Sequence, residues 1–184
     1  MQIVTGSYDS HSRGLATELA RYRHRVFVEM MGWELQCKDG LEFDQFDRAD
    51  TRYVAARDDD GRINGCARLL PTTAPYLLAE VFPQLLNGLP APCAPDVWEL
   101  SRFAAVDLAQ AAASPLGSYS SPVAVGLLKA ALAAAAEQGA TRVITVSPLG
   151  IERLLQRAGF RAHRAGPPVM VDGRALFACW IPVA

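Results

Sequence analysis

Six consecutive residues, Trp98 to Phe103, constrain the fold of this chain more than any other stretch. They read Trp-Glu-Leu-Ser-Arg-Phe, and this alternation is typical of a β-strand. A period of two sends Trp98, Leu100 and Arg102 to one face and the other three residues to the opposite face. Charged side chains such as Glu99 are costly inside a strand that only fills a core, unless they are paired. We therefore predict that this strand forms a wall of a functional site.

Strand and helix periodicities alternate along the rest of the chain, apart from an irregular, aromatic-containing stretch over 31–50 that predicts a long ordered loop. The order helix, antiparallel strands, helix, strand, helix, strand indicates an α/β fold in which helices pack on the faces of a mixed sheet. The predicted elements are strands over 2–5, 52–57, 63–70, 97–105, 141–147, 169–171 and 175–181, helices over 10–29, 121–138 and 150–158, and a short helix or ordered loop over 76–85.

Size and composition favour one soluble domain. With 184 residues and 51% hydrophobic content, the chain is long enough for a single core, so we expect one domain over 1–184. We see neither an apolar run of membrane-spanning length nor a signal peptide, and we expect a cytoplasmic protein without stable membrane association. The four cysteines lack CxxC spacing, which predicts buried free thiols and neither a disulfide framework nor a metal site.

The net charge of −1 is unevenly distributed. Residues 129–184 hold seven basic and three acidic residues, a balance of +4, so the first 128 residues carry −5. A near-neutral total argues against nucleic-acid binding, whereas the basic C-terminal part suits an acidic protein or a phosphate-bearing carrier. A solvated helix face explains the same charges equally well.

Two polar sets interrupt the apolar segments. Such charges are either surface positions or pairs buried around a cleft, and the pattern alone leaves both interpretations open. The first set accompanies two aromatic residues, and the second occupies two predicted strands. The sets are Arg23, Asp44 and Asp47 beside Phe27 and Trp33, and then Arg68, Glu99, Ser101 and Arg102.

The spacing of these residues carries a resemblance. The chain reads Arg23-x3-Phe27-x5-Trp33-x10-Asp44-x2-Asp47, followed by Arg68 and by Glu99-x-Ser101-Arg102-Phe103. This ordered set resembles the acyl-homoserine-lactone synthases, the LuxI-type autoinducer synthases of bacterial quorum sensing. The similarity continues to the segment 145–153, and so long a set is specific, whereas Gly32-Trp33 alone is a weak signal.

The resemblance implies a fold and a reaction. The fold is an α/β/α sandwich with a mixed, largely antiparallel sheet, similar to that of the GNAT-like acetyltransferases. The reaction joins an acyl chain, delivered by acyl carrier protein or by coenzyme A, to the α-amine of S-adenosylmethionine. The methionine carboxylate then displaces methylthioadenosine and closes the lactone. S-adenosylmethionine is thus a substrate, and no cofactor is implied.

Family analogy assigns roles to the polar and aromatic residues. The α-amine has a reference pKa of about 8 and must lose a proton, for which Glu99 is the leading base and Asp44 the second. Ser101 would position the acyl carbonyl, and aromatic faces would suit the sulfonium cation. Arg23 and Arg102 would pair with the acids or with the substrate carboxylate, and Arg68 with Glu99. The catalytic set is Glu99, Ser101, Arg102 and Asp44, and the S-adenosylmethionine set is Arg23, Phe27, Trp33, Asp44, Asp47, Arg68, Arg102 and Phe103.

The acyl chain requires an apolar pocket. Thr145 and Ser147 fall where the family places small polar groups near the third acyl carbon, although ordinary strand residues would look the same. Regular period two separates Arg102 from Glu99, so a shared site requires a bulge or twist between Leu100 and Arg102. The predicted pocket residues are Phe82, Leu100, Thr145, Val146, Ser147, Leu149 and Leu154.

The main alternative is an acetyl-coenzyme A-dependent N-acetyltransferase with the same kind of sheet. Such enzymes carry a Gly-rich turn that leads into a helix and cradles a pyrophosphate. The residues before the predicted helix at Ser121 read Ser-Pro-Leu-Gly-Ser-Tyr-Ser-Ser instead. A non-catalytic acyl-binding or nucleotide-binding module is a further alternative, which the complete set of polar positions disfavours.

Overall fold

The computed structural model of the protein describes residues 2–7, 13–109 and 122–183. The chain divides into two compact units, which we describe in turn. Unit 1 comprises Met1–Arg68 and Arg102–Ala131, and unit 2 comprises Leu69–Ser101 and Leu132–Ala184. The expectation of one domain over 1–184 stays a prediction.

Unit 1 contains two long strands and parts of two others, a small hairpin, one long helix and a π-helical segment, and it includes the start of a second long helix. Its strands are neighbours in the order β1-β4-β5-β6. The elements are β1 (Gln2–Ser7), α1 (Arg13–Arg23), a π-helix (His24–Met30), β2 (Cys37–Lys38), β3 (Leu41–Glu42), β4 (Arg52–Arg57), the first part of β5 (Ile63–Pro71) and the last part of β6 (Val97–Ala104).

The sheet of unit 1 follows the predicted pattern closely. β1 pairs antiparallel with β4, from Gln2 opposite Arg57 to Ser7 opposite Arg52. A tight turn joins β4 to β5, in which Asp58 N–H donates to the carbonyl of Arg62. Gly61 has a φ of +79° in this turn, a conformation that glycine adopts without strain. The hairpin that the sequence predicted at this turn is therefore confirmed.

Helix α1 buries the face that its spacing predicts. Leu15, Leu19, Tyr22 and Val26 are all buried. The predicted helix over 10–29 begins among residues outside the described part of the chain, and at His24 it changes from α-helical to π-helical geometry. The Tyr22 hydroxyl donates to the Val106 carbonyl at 3.0 Å and accepts from the Val106 N–H at 2.9 Å. This pair of hydrogen bonds fixes α1 against the segment that follows β6.

The predicted loop over 31–50 is largely irregular, but it contains a small hairpin that the sequence did not reveal. β2 and β3 have two residues each and pair through Cys37 opposite Glu42. Asp39 and Gly40 have positive φ values of +54° and +72° in the turn between them. Two-residue strands are too short to show a period of two, so pattern analysis could not detect them.

Unit 2 forms a mixed sheet with short helices. Its strands are neighbours in the order β5-β6-β7-β10-β8, and β9 also pairs with β10. β6 and β7 run parallel, while β10 is antiparallel to β7, β8 and β9. The elements are α2 (Leu77–Glu80), a 3₁₀ turn (Pro83–Leu86), the last part of α3 (Pro122–Glu137), β7 (Arg142–Pro148), α4 (Ile151–Arg157), β8 (His163–Arg164), β9 (Val169–Val171) and β10 (Arg174–Pro182).

These elements confirm the predicted α/β class and the mixed, largely antiparallel sheet. Every predicted strand is present, and β8 is an additional one of two residues. Ser121, the predicted start of α3, lies outside the described residues. Within the described ranges, no helix is both long enough and apolar enough to cross a bilayer.

The cysteine prediction is only half right. All four thiols are free, and Cys66 and Cys179 are buried as expected. Cys37 and Cys93 are exposed. Both lie in short or irregular connecting segments, where little of the chain packs over them.

The hydrogen bonds of Tyr22 provide a test of how α1 is held. Tyr22→Phe leaves a buried N–H and a buried carbonyl of Val106 without their partner, and we expect the free energy of unfolding to fall by about 2 kcal/mol. Tyr76→Phe, which removes one hydrogen bond to the Pro92 carbonyl, is the matched control and should cost about half as much. Urea denaturation measures both, and equal stabilities of wild type and Tyr22→Phe would contradict the proposed role of these bonds.

Candidate active site

Six charged side chains of unit 1 form one connected network, which we call the ion cluster. They lie at the end of α1, on β3 and the loop that follows it, on β5 and on β6. Three arginines face three carboxylates, so their formal charges sum to zero. The members are Arg23, Glu42, Asp44, Asp47, Arg68 and Arg102.

Arg23 is held by two carboxylates. Its Nε donates to Glu42, and its Nη1 and Nη2 donate to the two oxygens of Asp47 at 2.7 and 3.0 Å. The residue is 2% exposed. Burial alone would lower the pKa of Arg23, but Asp47 and Glu42 outweigh it, and the pKa is raised well above its ordinary value. Arg23 is therefore a permanent, fully engaged cation.

Arg68 bridges the two aspartates of the cluster. It makes a two-pronged contact with Asp44 at 2.6 and 3.0 Å and a longer contact with Asp47 at 3.3 Å. Its guanidinium carbon lies 5.7 Å from the centroid of the Phe46 ring. Asp44 and Asp47 are thus cross-linked by a cation, which keeps the loop that carries them in one conformation.

Arg102 reaches the cluster from an irregular point in β6. Its φ of +49° is uncommon for a residue with a side chain, and its carbonyl accepts a hydrogen bond from the Cys66 thiol at 3.0 Å. Burial raises the pKa of that thiol to about 12, so it remains a neutral donor. The backbone irregularity that the sequence required between Leu100 and Arg102 is therefore present at Arg102.

One nitrogen of the Arg102 guanidinium, Nη1, remains available for a further hydrogen bond. Nε and Nη2 donate to Glu42, and Nη2 also donates to Asp44 at 2.9 Å. Among the described residues, Nη1 of Arg102 has no hydrogen-bond partner. It is not fully buried either, because Asn64 Oδ1 is the one fully buried side-chain atom without a partner among these residues. Nη1 therefore retains contact with solvent or with a ligand. The guanidinium carbon also lies 5.8 Å from the centroid of Phe27.

Asp47 accepts more hydrogen bonds than any other carboxylate of the cluster. Besides the two arginines, the Tyr53 hydroxyl donates at 2.5 Å and the Asp44 N–H at 2.8 Å. Burial would raise the pKa of Asp47, but Arg23, Arg68 and Tyr53 outweigh it and hold that pKa below its ordinary value. Burial would likewise raise the pKa of Glu42, and Arg23 and Arg102 lower it. Both groups are therefore carboxylates at neutral pH.

An aromatic pair borders the cluster. The rings of Phe27 and Trp33 stack with centroids 4.9 Å apart and planes 24° apart. The Trp33 N–H donates to the Phe27 carbonyl at 2.9 Å, and Gly32 between them has a φ of +67°. Phe27 is buried, whereas Trp33 is half-buried. The π-helix and its glycine end thus place the Phe27 ring beside Arg102 and the Trp33 ring against Phe27.

The structure regroups the predicted site residues and adds two. Arg68 and Arg102, which the sequence placed with Glu99, join Asp44 in the ion cluster. Arg23 pairs with Asp47 and Arg102 pairs with Asp44, whereas the sequence left open whether these arginines pair with the acids or with the substrate carboxylate. Glu42 and Tyr53 were missed, although Glu42 lies two residues before Asp44 in a Leu-Glu-Phe alternation that could have indicated a buried carboxylate. The roles predicted for Phe103 and for an Arg68–Glu99 pair stay predictions.

Glu99 and Ser101 belong to unit 2, where both are buried. The two carboxylate oxygens of Glu99 accept one backbone N–H each, from Leu77 at 2.9 Å and from Leu78 at 2.6 Å. These N–H groups lie in the first turn of α2. Glu99 therefore caps a helix 22 residues away in sequence.

The predicted acyl pocket divides between two faces of the unit 2 sheet. Leu100 is in register with Thr145, which is in register with Cys179, so these three share a face. Ser147 lies on that face too, whereas period two sends Val146 to the opposite face. Leu149 is 50% exposed and is not part of a buried wall. Phe82 and Leu154 are half-buried.

No group of three or more metal-ligating side chains occurs in the part of the chain that the structure describes. The site consists of guanidinium, carboxylate, aromatic and backbone groups. Such a set recognises charged organic molecules.

Comparison with known proteins gives long and consistent matches. The sequence profile described as autoinducer synthase matches residues 7–184. An acyl-homoserine-lactone synthase from Acinetobacter nosocomialis is 56% identical over 183 residues, which cover 100% of both chains. The solved structure of TofI in a ternary complex with an inhibitor and MTA is 47% identical, with a TM-score of 0.85 over 100% of this chain and 92% of TofI.

Two further solved structures are similar to this chain, one of them with an acyl-coenzyme A bound and the other similar in fold alone. The CoA-dependent acyl-homoserine lactone synthase BjaI, solved with SAM and isopentyl-CoA, is 28% identical, with a TM-score of 0.86 over 99% of this chain and 83% of BjaI. A protein from Lactobacillus plantarum assigned as an N-acetyltransferase is 19% identical, with a TM-score of 0.65 over 100% of this chain and 98% of that chain. The second likeness concerns the fold alone, and it confirms the expected acetyltransferase-like fold.

The buried position of Glu42 provides a direct test of the ion cluster. Glu42→Gln leaves Arg23 and Arg102 with one carboxylate fewer, and we expect a loss of about 3–5 kcal/mol in the free energy of unfolding. The matched control is Asp50→Asn, which removes a solvent-exposed partner of Arg48 and should change stability by about 1 kcal/mol or less. Chemical denaturation measures both, and similar small effects of the two substitutions would contradict the buried network.

Proposed function

The chain belongs to the autoinducer synthase family of acyl-homoserine-lactone synthases, and we propose that its ion cluster and aromatic pair bind S-adenosylmethionine. The chain is accordingly an acyltransferase of quorum sensing. It joins an acyl chain to the α-amine of S-adenosylmethionine, closes the lactone and releases methylthioadenosine. S-adenosylmethionine is consumed as a substrate.

The observation that carries the binding proposal is the available Nη1 of Arg102. S-adenosylmethionine has an α-carboxylate, and a charge-assisted hydrogen bond from a guanidinium to a carboxylate is among the stronger polar contacts. The other two arginines of the cluster are engaged by Asp44, Asp47 and Glu42. Arg102 therefore recognises the substrate carboxylate, while Arg23 and Arg68 hold the acids that orient it.

The aromatic pair supplies the second part of this recognition. A sulfonium is a poorly hydrated cation, and the faces of aromatic rings attract cations. Phe27 and Trp33 stack on each other, so the half-buried Trp33 is held in a fixed orientation against Phe27, whose ring lies beside Arg102. Because the cluster itself is electrically neutral, it does not repel the positively charged substrate.

The acyl chain requires an apolar surface, for which we propose the face of the unit 2 sheet that carries Leu100, Thr145 and Ser147. These residues are buried and lie on two adjacent strands. α4 lies on the same side, since Glu152 of α4 pairs with Arg164 and Arg164 is in register with Cys179. Leu154 of α4 therefore completes the proposed wall, and Val146 does not contribute to it.

The chemical step must remove a proton from the α-amine. Asp44 accepts hydrogen bonds from Arg68, from Arg102 and from the Phe46 N–H. These bonds hold it as a fixed counter-ion, and taking up a proton would break at least one of them. We therefore assign Asp44 to positioning the arginines. Glu99 was the leading base in the sequence-based assignment.

The acyl donor is a thioester of acyl carrier protein or of coenzyme A. BjaI was solved with isopentyl-CoA, which makes coenzyme A thioesters one class to test. Exposed basic residues of unit 2 would suit an acidic carrier protein instead, through an association that weakens with salt. These residues are Arg142, Arg153, Arg157 and Arg161.

The alternative, an N-acetyltransferase that uses acetyl-coenzyme A, rests on fold likeness at 19% identity. The family profile covers residues 7–184 and the Acinetobacter relative is 56% identical over its full length. The lactone synthase assignment is therefore favoured. An acetylated amine formed from acetyl-coenzyme A, with no lactone from any donor, would reverse this preference.

A product assay with an Arg102 variant tests the binding proposal. The protein is incubated with S-adenosylmethionine and a panel of acyl carrier protein and coenzyme A thioesters, and mass spectrometry detects the lactone and methylthioadenosine. Arg102→Lys keeps the charge but loses the Nη1 donor, so we expect kcat/KM for S-adenosylmethionine to fall at least about tenfold, mainly through KM.

Arg48→Lys is the matched control, because Arg48 pairs with Asp50 outside the ion cluster. It should leave both constants near those of wild type. An Arg102→Lys enzyme with an unchanged KM for S-adenosylmethionine would contradict the role assigned to Nη1.

A further inference from the structure

We propose that Glu99 is a positioning residue, which holds the start of α2 in place, and that it is not the base of the reaction. The proposal rests on the proposed function, because it concerns the proton of the same α-amine. In this role, the essential contribution of the Glu99 carboxylate is to keep residues 76–86 in one conformation.

The first argument is the occupancy of the carboxylate. Oε2 accepts the Leu77 N–H and Oε1 accepts the Leu78 N–H, so each oxygen faces a donor. Glu99 is 0% exposed. A proton placed on either oxygen would remove the negative charge that strengthens both of these hydrogen bonds. Accepting the amine proton would therefore weaken the hold of Glu99 on α2 at the moment of reaction.

The second argument is that α2 depends on this carboxylate. The first N–H groups of a helix have no partner within the helix and need an external acceptor. Tyr76, the residue before α2, is extended with φ −144° and ψ 161°, and its side chain makes no capping hydrogen bond. Glu99 supplies both acceptors instead. The helix has only four residues, so these two bonds are a large part of what fixes its start.

The third argument is the direction in which the Glu99 side chain points. Glu99 is in register with Ile144, whereas Leu100 is in register with Thr145. Period two therefore places the Glu99 side chain on the face opposite to Leu100, Thr145 and the proposed acyl wall. A base for acyl transfer should reach the attacking amine beside the thioester carbonyl. The carboxylate of Glu99 instead points toward α2.

The segment that Glu99 holds is well packed beyond α2. Leu78 and Leu85 are fully buried, and the Tyr76 hydroxyl donates to the Pro92 carbonyl at 2.6 Å. Burial and the nearby Glu99 raise the pKa of Tyr76, which remains a neutral donor. Glu99 thus sets where the segment begins, and the buried leucines set how it lies.

Without a protein base at Glu99, the α-amine loses its proton to solvent water before it attacks. The nitrogen then forms a bond to the thioester carbon and loses its second proton to water, the carbon–sulfur bond breaks, and the thiolate takes up one proton. The net products are the amide, the free thiol and one proton. Atoms and charge balance, and no further reactant is required.

Two substitutions separate the roles, because each removes one of the two cap bonds. Glu99→Gln keeps a single acceptor oxygen and also removes any basic carboxylate. Leu77→Pro removes one donor and leaves the carboxylate untouched, and proline is well tolerated at the first helical position after an extended residue. Leu77→Ala keeps the N–H and is the control for the lost side chain.

A positioning role predicts that Glu99→Gln and Leu77→Pro reduce kcat/KM by similar factors, about tenfold, with an unchanged shape of the pH–rate profile. Leu77→Ala should stay within about threefold of wild type. A base role predicts a loss of about 10²–10⁴ in Glu99→Gln with Leu77→Pro near wild type. That second pattern overturns the proposal.

Hydrogen exchange provides a readout that does not depend on substrate. The Leu78 amide should exchange at least about tenfold faster in both Glu99→Gln and Leu77→Pro than in wild type, and Leu77→Ala should match wild type. Unchanged exchange in Glu99→Gln overturns the positioning role even if the enzyme is active. A wild-type protein that forms no lactone contradicts the proposed function instead, so the two failures are distinguishable.

Discussion

The free-energy cost of burying charged side chains constrains how the elements of unit 1 are arranged. Six ionised side chains lie out of solvent, and each would be strongly destabilising alone. They are tolerated because every carboxylate faces at least two cationic groups and the charges cancel. This requirement ties the end of α1, the loop after β3, and strands β5 and β6 to one another. Among the residues that the structure describes, this network leaves Nη1 of Arg102 unpaired, which is where the cluster can recognise an anion without any rearrangement of its other members.

Much of this arrangement could be predicted from the sequence, because periodicity reports burial. The alternation over 52–57 and 63–70 gave strands within one residue of their observed bounds, and the Asp-Asp-Gly-Arg turn gave the hairpin. The spacing of Leu15, Leu19 and Tyr22 gave the buried face of α1. The spacing from Arg23 to Asp47 gave the family, and with it the expectation that arginines and aspartates of this stretch lie in one site, although not which of them pair.

Other features leave no pattern to detect. Glu42 lies on a two-residue strand, and its partners Arg23 and Arg102 are far away in sequence, so only the folded chain brings them together. A bulge or twist between Leu100 and Arg102 was expected from the two faces of the strand, but the sequence could not reveal that it takes the form of a left-handed backbone at Arg102. Glu99 bonds to backbone N–H groups, which every residue except proline carries. A side-chain pattern therefore could not reveal that Glu99 caps α2.

The account of substrate recognition depends on the carboxylate of S-adenosylmethionine meeting Arg102. Isothermal titration calorimetry with S-adenosylmethionine and with its decarboxylated analogue tests this contact most directly, because the two ligands share the sulfonium and the adenosine. The account predicts that the analogue binds at least about tenfold more weakly to the wild-type protein, as expected for the loss of one charge-assisted hydrogen bond. Equal affinities would contradict it and would move the recognition of the carboxylate away from the ion cluster.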